Sequence, residues 1–389
     1  MLNHLKHFFR NSLFLGIGAT FAINSLIFSF WITRLPGVKE SLGLSEGVLG
    51  LALFCMPIGA LVSMVLSSKI IHAFGAGKVT IWSGMFFSLA MILPVSAMNI
   101  WFLGFALFIA GLFTGLMDVA MNAVAAEAEK QGKKVIMSTC HGFWSLGGML
   151  GAFLGSLFVG LKFNGVLQAV ITAIIASVIL FTWIKSKIGD LDGENSEDGH
   201  GFTIPRGPII GLAIIGFCIM IGEGAIADWS AVFLKEWAGA SAYVAGFGYA
   251  GFSLSMTIGR FFGDEIINRF GGLPVVRIGS AIALIGGGLV LITQPWLAIL
   301  GFSLMGLGYS CVVPVVFSSS ANIEGMTPSQ GISAVATLGY TGFLVGPVII
   351  GWLAEYFGLQ MGFVLLMVLS VLAIVYAPRA FSFQILRKG

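Results

Sequence analysis

Residues 101–126 read WFLGFALFIAGLFTGLMDVAMNAVAA, an apolar run interrupted by one acid, Asp118, and by Asn122 four residues later. A run of this length crosses the ~30 Å hydrocarbon core of a bilayer as a single helix, and the four-residue spacing puts the acid and the amide on one helix face. A carboxylate at that depth is paired, protonated or facing water, because isolated charge in hydrocarbon is too costly. Its default reading is a lining residue of an ion or solute path.

The rest of the chain repeats the pattern. Of 389 residues, 57% are hydrophobic and 10% charged, with a mean hydropathy of +0.99, far too little polar surface for a soluble protein of this size. Membrane-spanning runs can be drawn about twelve times, at 12–33, 46–68, 79–98, 101–126, 135–160, 164–185, 207–233, 244–263, 274–293, 296–320, 331–354 and 359–380. The expected fold is an all-α polytopic membrane protein embedded in the lipid bilayer. The first run follows Lys6 and Arg10, is too long for a cleavable signal core and lacks a small-residue cleavage site, so it is read as a retained span.

An even number of spans puts both termini on one side. Sixteen of the twenty basic residues then share that side, and only Arg34, Lys39, Lys162 and Lys235 face the other. Basic loops stay cytoplasmic, so cytoplasmic termini in an inner (plasma) membrane are expected. The net charge of +3 follows from this topology; no separate basic domain points to nucleic acid.

No cofactor and no metal are expected. Cys55, Cys140, Cys218 and Cys311 lie in separate spans and read as small buried residues rather than as a disulfide or zinc framework. The Gly246-Phe-Gly248-Tyr-Ala-Gly251 pattern fits a dinucleotide-binding turn, yet it has no preceding strand and reads as helix packing. The chain carries neither a Gly-x4-Gly-Lys-Ser/Thr phosphate loop nor a hydrolase motif, so an enzyme is not expected.

The only sustained polar stretch, from Lys185 to Arg206 with Asp190, Asp192, Glu194, Glu197 and Asp198, divides the spans into two sets of six. Its acids do not follow the alternation of a calcium loop. It reads as a cytoplasmic linker, giving an N-terminal bundle (1–185), a linker (186–206) and a C-terminal bundle (207–389). The two bundles echo each other, as parallel repeats do. Ser68-Lys-Ile-Ile-His72-Ala-Phe74-Gly75 returns as Asp264-Glu-Ile-Ile-Asn268-Arg-Phe270-Gly271; Trp101 and Gly111-Leu112 return as Trp296 and Gly306-Leu307; Ser138, Gly147 and Gly151 return as Ser333, Gly342 and Gly346.

With these features the whole chain resembles the major facilitator superfamily, whose fold is two pseudo-symmetric six-helix bundles. The superfamily's Gly-rich signature is better kept in the second copy, at Gly259-Arg260, Gly263-Asp264 and Asn268-Arg269-Phe270-Gly271, while the first has His72-Ala73 where Asp-Arg is usual. The resemblance implies a cytoplasmic gate at Arg260, Asp264 and Arg269. The segment Asp118-Val-Ala-Met-Asn122, together with Leu35-Pro36 leading to Leu44-Ser45, is similar to the fucose-permease-like branch, where an acid at the position of Asp118 takes part in proton coupling. That branch also has an acid late in span one; here the position is about Ile32, between Trp31 and Arg34.

Three groups are expected to move protons. Asp118 and His141 fall at similar depths in spans four and five and could form a pair that loads and releases a proton. Glu223 lies past the middle of span seven between Gly222 and Gly224, which remove side-chain cover; Asp228, beside Trp229, reads as an outer-mouth anchor. Asn24, Asn122, Trp144, Tyr249 and Tyr309 are the candidate substrate contacts for a midplane site. The stripe Gly147, Gly151, Gly155 reads as a helix-packing seam.

The expected activity is a proton-coupled secondary transporter of a small polar organic solute, sugar-like or related, working by alternating access and able to act as a monomer. The alternative is proton-driven efflux of amphipathic or drug-like compounds, compatible with the many Phe and Met residues.

Overall fold

The computed structural model describes residues 8–132, 136–189, 191, 205, 207, 209–323, 326 and 328–382, without the side chains of Asp264, Pro328 and Ser329. Most of the expected linker, 186–206, therefore lies outside the described residues.

Twelve long helices carry the chain: α1 (Ser12–Leu42), α2 (Glu46–Phe74), α3 (Ala76–Val95), α4 (Ile100–Gly132), α5 (Met137–Gly160), α6 (Gly165–Ile188), α7 (Ile209–Glu236), α8 (Phe247–Phe270), α9 (Gly272–Val290), α10 (Pro295–Ser320), α11 (Pro328–Phe357) and α12 (Leu359–Ala380). Eleven are long and apolar enough to cross a membrane. The exception, α8, has the length at 24 residues but carries Arg260, Asp264, Glu265 and Arg269. No strand occurs among the described residues.

Helix ends depart from the apolar runs where polar side chains begin. The α1 helix starts on Asn11, whose Oδ1 accepts from Leu13 N at 2.9 Å, and continues through Pro36 to Leu42, well past the expected end at 33. Likewise α4 runs to Gly132 rather than 126. Apolar composition reports the thickness of the hydrocarbon, whereas the backbone ladder continues into the interface, where polar side chains are welcome. The α1 extension carries Lys39 and Glu40 to the face of the bundle opposite the termini.

The sequence repeat is visible in the backbone. Left-handed turns occur at Gly43 and Gly239, at Gly75 and Gly271, and at Lys162 and Gly358, each pair 196 residues apart. Gly75 and Gly271, with φ of 83° and 79°, make the tight α2–α3 and α8–α9 turns where a side chain would be strained. The same loop geometry thus closes corresponding helices in the two halves.

Small residues set the spacing inside each half. A Cβ on Gly147 would lie 2.1 Å from the Ala22 carbonyl oxygen, one on Gly151 2.5 Å from that of Leu26, and one on Gly155 2.4 Å from Thr33 Oγ1, so the stripe seats α5 directly on α1. Gly246, Gly248 and Gly251 likewise meet Ser156, Leu234 and Ser303, which is packing, as the missing strand implied. The halves meet along α5–α8, α2–α11 and α1–α7.

Candidate functional site

Asn24 is the polar hub of the first half. Its Nδ2 donates to Thr114 Oγ1 of α4 at 3.1 Å and lies 3.3 Å from Met117 Sδ, while Trp144 Nε1 of α5 donates to its Oδ1 at 3.3 Å. Three helices are thereby held at one level. Asp118 stands one turn beyond Thr114 toward the terminal face, and His141 three residues beyond Trp144 in the same direction, so the two share a depth as their spacing predicts.

They are nevertheless not bonded to each other. The His141 ring packs edge-on against Phe21 of α1, with centroids 5.3 Å apart. Asp118 Oδ1 receives Asn122 Nδ2 at 3.4 Å, and the same amide donates to the Asp118 carbonyl oxygen at 2.8 Å. The expected Asp118–His141 pair is corrected on this point: equal depth does not settle which way a helix is turned, and the imidazole packs against Phe21. Asp118 remains half-buried and lies within electrostatic reach of Tyr340 on α11, in the other half.

Among the described residues, one cation crosses between the halves in the interior. Arg260 Nη2 of α8 stands 3.6 Å from Glu223 Oε2 of α7. Its Nη1 donates to Ser145 Oγ of α5 at 2.8 Å and to the His141 carbonyl oxygen at 3.4 Å. At 3.6 Å the carboxylate is an ion-pair partner rather than a hydrogen-bond partner, and Glu223 Oε1 is buried with no hydrogen bond. Arg260 was expected at the cytoplasmic gate. It lies ten residues before Phe270, the end of α8, some ~15 Å inward, and belongs with the interior acids. Arg269 does sit at the exposed end, its guanidinium 5.5 Å above the Phe270 ring; the Asp264 side chain is outside the described set.

The two candidate tyrosines are turned into helix interfaces. Tyr309 is buried, its hydroxyl 3.2 Å from Ser370 Oγ of α12, and it fills the space left by Gly222, where a Cβ would come within 2.7 Å of the ring. Tyr249 is buried as well, contacting Ser253 of its own helix and Ser29 of α1. The structure therefore gathers Asn24, Trp144, Asn122 and Asp118 but leaves Tyr309 and Tyr249 outside that group. Asp228, half-buried on α7, is well inside the helix rather than at its mouth.

Ser145, Thr114 and Tyr340 were not singled out from the sequence. Ser145 could have been found, since it follows Trp144 and stands four residues after His141; Thr114 and Tyr340 carry no signal of their own. A second missed feature lies at the face opposite the termini. Lys39 Nζ reaches Glu236 Oε2 at 2.7 Å and Glu46 Oε1 at 3.3 Å, Lys235 pairs with Glu40, and Gly47 N donates to Glu355 Oε2 at 2.9 Å. All but the Lys39–Glu46 contact join the two halves.

The sequence profile of the Major Facilitator Superfamily matches residues 13–236 and 212–384. The chain belongs to the major facilitator superfamily. It is 35% identical to an uncharacterized MFS-type transporter of Yersinia pestis over 91% of this chain and 92% of that one. It is also 32% identical to the membrane protein MosC of Rhizobium meliloti, over 94% of this chain and 89% of that one. In fold it is similar to the nucleoside transporter NupG, with a TM-score of 0.70, 12% identity, and coverage of 97% of this chain and 99% of that chain. The D-xylose-proton symporter gives a TM-score of 0.69 at 16% identity, over 95% and 97% of the two chains. As a superfamily member, this multi-pass membrane protein is a transporter rather than an enzyme, and α1–α6 and α7–α12 are its two bundles.

Proposed function

We propose that this facilitator-superfamily chain is a proton-coupled symporter of a small polar organic solute, working across the inner membrane by alternating access. The observation that carries the proposal is the Glu223–Arg260–Ser145 chain, in which the ion pair that joins α7 to α8 also reaches across to the other half. A proton on Glu223 removes the carboxylate charge facing Arg260 and so changes what holds the bundles together. Protonation and bundle closure are then linked, and a ligand that binds the two access states differently shifts their populations.

Asp118 is the second proton site in this reading, half-buried and bonded to Asn122 one turn along its own helix. Asn24, Asn122 and Trp144 supply neutral polar contacts suited to an uncharged hydroxylated solute. The Asp118–Asn122 contact favours placing the chain in the fucose-permease-like branch, and the D-xylose-proton symporter of like fold fits the same assignment. Bacterial relatives and the excess of basic residues on the terminal face support an inner-membrane protein with cytoplasmic termini; one chain with a single path between its two halves is enough for alternating access.

The test is uptake of a panel of sugars and nucleosides into proteoliposomes under an imposed pH gradient. Accumulation is expected to vanish in Glu223→Gln and Asp118→Asn while solute exchange without a gradient persists. Uphill accumulation at the wild-type level in both variants would defeat the coupling assignment. Efflux of lipophilic cations in place of solute uptake would reverse the direction.

A further inference from the structure

The contacts opposite the termini are built from one dipeptide used twice. Lys39-Glu40 lies in the last turn of α1 and Lys235-Glu236 closes α7, 196 residues apart like the turns at Gly43 and Gly239 that follow them. The copies pair crosswise, Lys39 Nζ with Glu236 Oε2 at 2.7 Å and Lys235 with Glu40. Both pairs last only while the halves are together at this face.

The symmetry is broken at one position. Glu46 follows Lys39 by seven residues, and the matching place after Lys235 holds Ala242. Seven residues span ~10 Å along a helix, too far for a pair, but here the chain reverses. Gly43, at φ 61°, donates its N–H to the Glu40 carbonyl oxygen, and Leu44 N donates to that of Lys39, both at 3.1 Å. The first turn of α2 is thereby folded back beside the last turn of α1, and Glu46 Oε1 comes within 3.3 Å of Lys39 Nζ inside a single half. Among the described residues, Glu40 is the only carboxylate paired with Lys235.

A turn held by its own backbone bonds moves with its half. When this face separates, Lys235 and Glu40 part, whereas Lys39 loses Glu236 and keeps Glu46. The Lys39 side chain is 10% exposed against 20% and 27% for its two acids, so the ammonium is the member of the set that gains most from a retained partner.

We infer that Glu46 is a positioning residue of the access change: it holds the Lys39 ammonium when Glu236 leaves, and so makes opening of this face easier rather than fastening it. Two carboxylates around one ammonium also repel each other in the closed state, which acts in the same direction. The inference rests on alternating access alone and uses neither the proton assignment nor the solute.

The test is the distance distribution between spin labels at positions 41 and 237 of the full-length protein in lipid nanodiscs, without solute or pH gradient. Lys235→Gln is the background, since removing the pair that has no retained partner raises the separated population. In that background Glu236→Gln is expected to raise the ratio of separated to closed by about two- to fivefold, and Glu46→Gln to lower it by a similar factor, the range of a partly exposed ion pair. With Lys39→Gln added, the two variants are expected to act alike, because each then only relieves the same repulsion between carboxylates. An unchanged or larger separated population in Glu46→Gln, or an opposition between the two variants that survives the loss of Lys39, overturns the inference. Neither result touches the coupling assignment, which is read by uptake under a gradient.

Discussion

The face opposite the termini and the middle of the membrane join the same two halves by different chemistry. At the face, Lys39 has two carboxylates within 3.3 Å, Lys235 has Glu40, and Glu355 takes the Gly47 amide. In the middle, Arg260 has one carboxylate at 3.6 Å, and its other partners are neutral oxygens. The first set is redundant and its carboxylates reach water, so losing one contact leaves the rest in place. The second hangs on a single acid whose other oxygen has no partner. One proton can undo it. Redundant pairing suits a clasp that holds one access state closed; solitary buried pairing suits a group that must let go.

The largest effect is expected where the pairing is solitary. Arg260→Gln strands the Glu223 carboxylate and should cost about 3–5 kcal/mol, the usual penalty for breaking a buried pair from one side. Chemical unfolding in detergent reads it, and adding Glu223→Gln should restore most of the loss. Equal instability of the single and double variants would remove the contrast between the two regions.

Next in size is Gly147→Val, which forces a side chain toward the Ala22 carbonyl and should cost about 1–3 kcal/mol by overpacking. Because Gly147 stands two residues from Ser145, combining it with Ser145→Ala should be less than additive; full additivity would mean that α5 does not carry the Arg260 contact. Lys39→Gln should cost only about 1 kcal/mol, because Lys39 is buried but its partners Glu46 and Glu236 are partly exposed and turn to water once the cation is gone. That shifts the access equilibrium about fivefold toward separation of the clasped face, seen as a longer spin-label distance between positions 41 and 237. An unchanged distance would mean the clasp does not set the resting state. The smallest change is Gly37→Ala, on the clasp-bearing end of α1, where an added Cβ meets nothing within 4 Å. It should stabilise by roughly 0.5–1 kcal/mol, from better helix propensity and a less flexible unfolded chain. Destabilisation there would show that this end must bend.

Much of the fold was readable because hydropathy is a local property. The apolar runs located all the helices, and the Phe74-Gly75 and Phe270-Gly271 blocks located matching left-handed turns. The depth of Asp118 and His141 was readable too, since rise per residue is constant. Their partners were not. Phe21 takes the His141 ring and Asn122 takes the Asp118 oxygen, because neighbours depend on how each helix is rotated about its axis. Arg260 shows the same limit from the other direction. A signature motif placed it with the gate, but its position along α8 and the approach of α5 placed it beside Glu223. Lys39 and Glu40 were missed because α1 continues beyond its apolar run.

By itself, the order of residues determined that this chain crosses the membrane about twelve times as two related halves with acids buried in spans four and seven. Those facts follow from composition, period and repetition along one dimension. Only the tertiary structure decided that Glu223 faces a cation from α8 that also reaches α5, and that the Arg34 guanidinium is held by Gln168 of α6. Charge pairing acts through space and falls off within a few ångströms, so it is settled by helix rotation and contact across the interface, which no local pattern records.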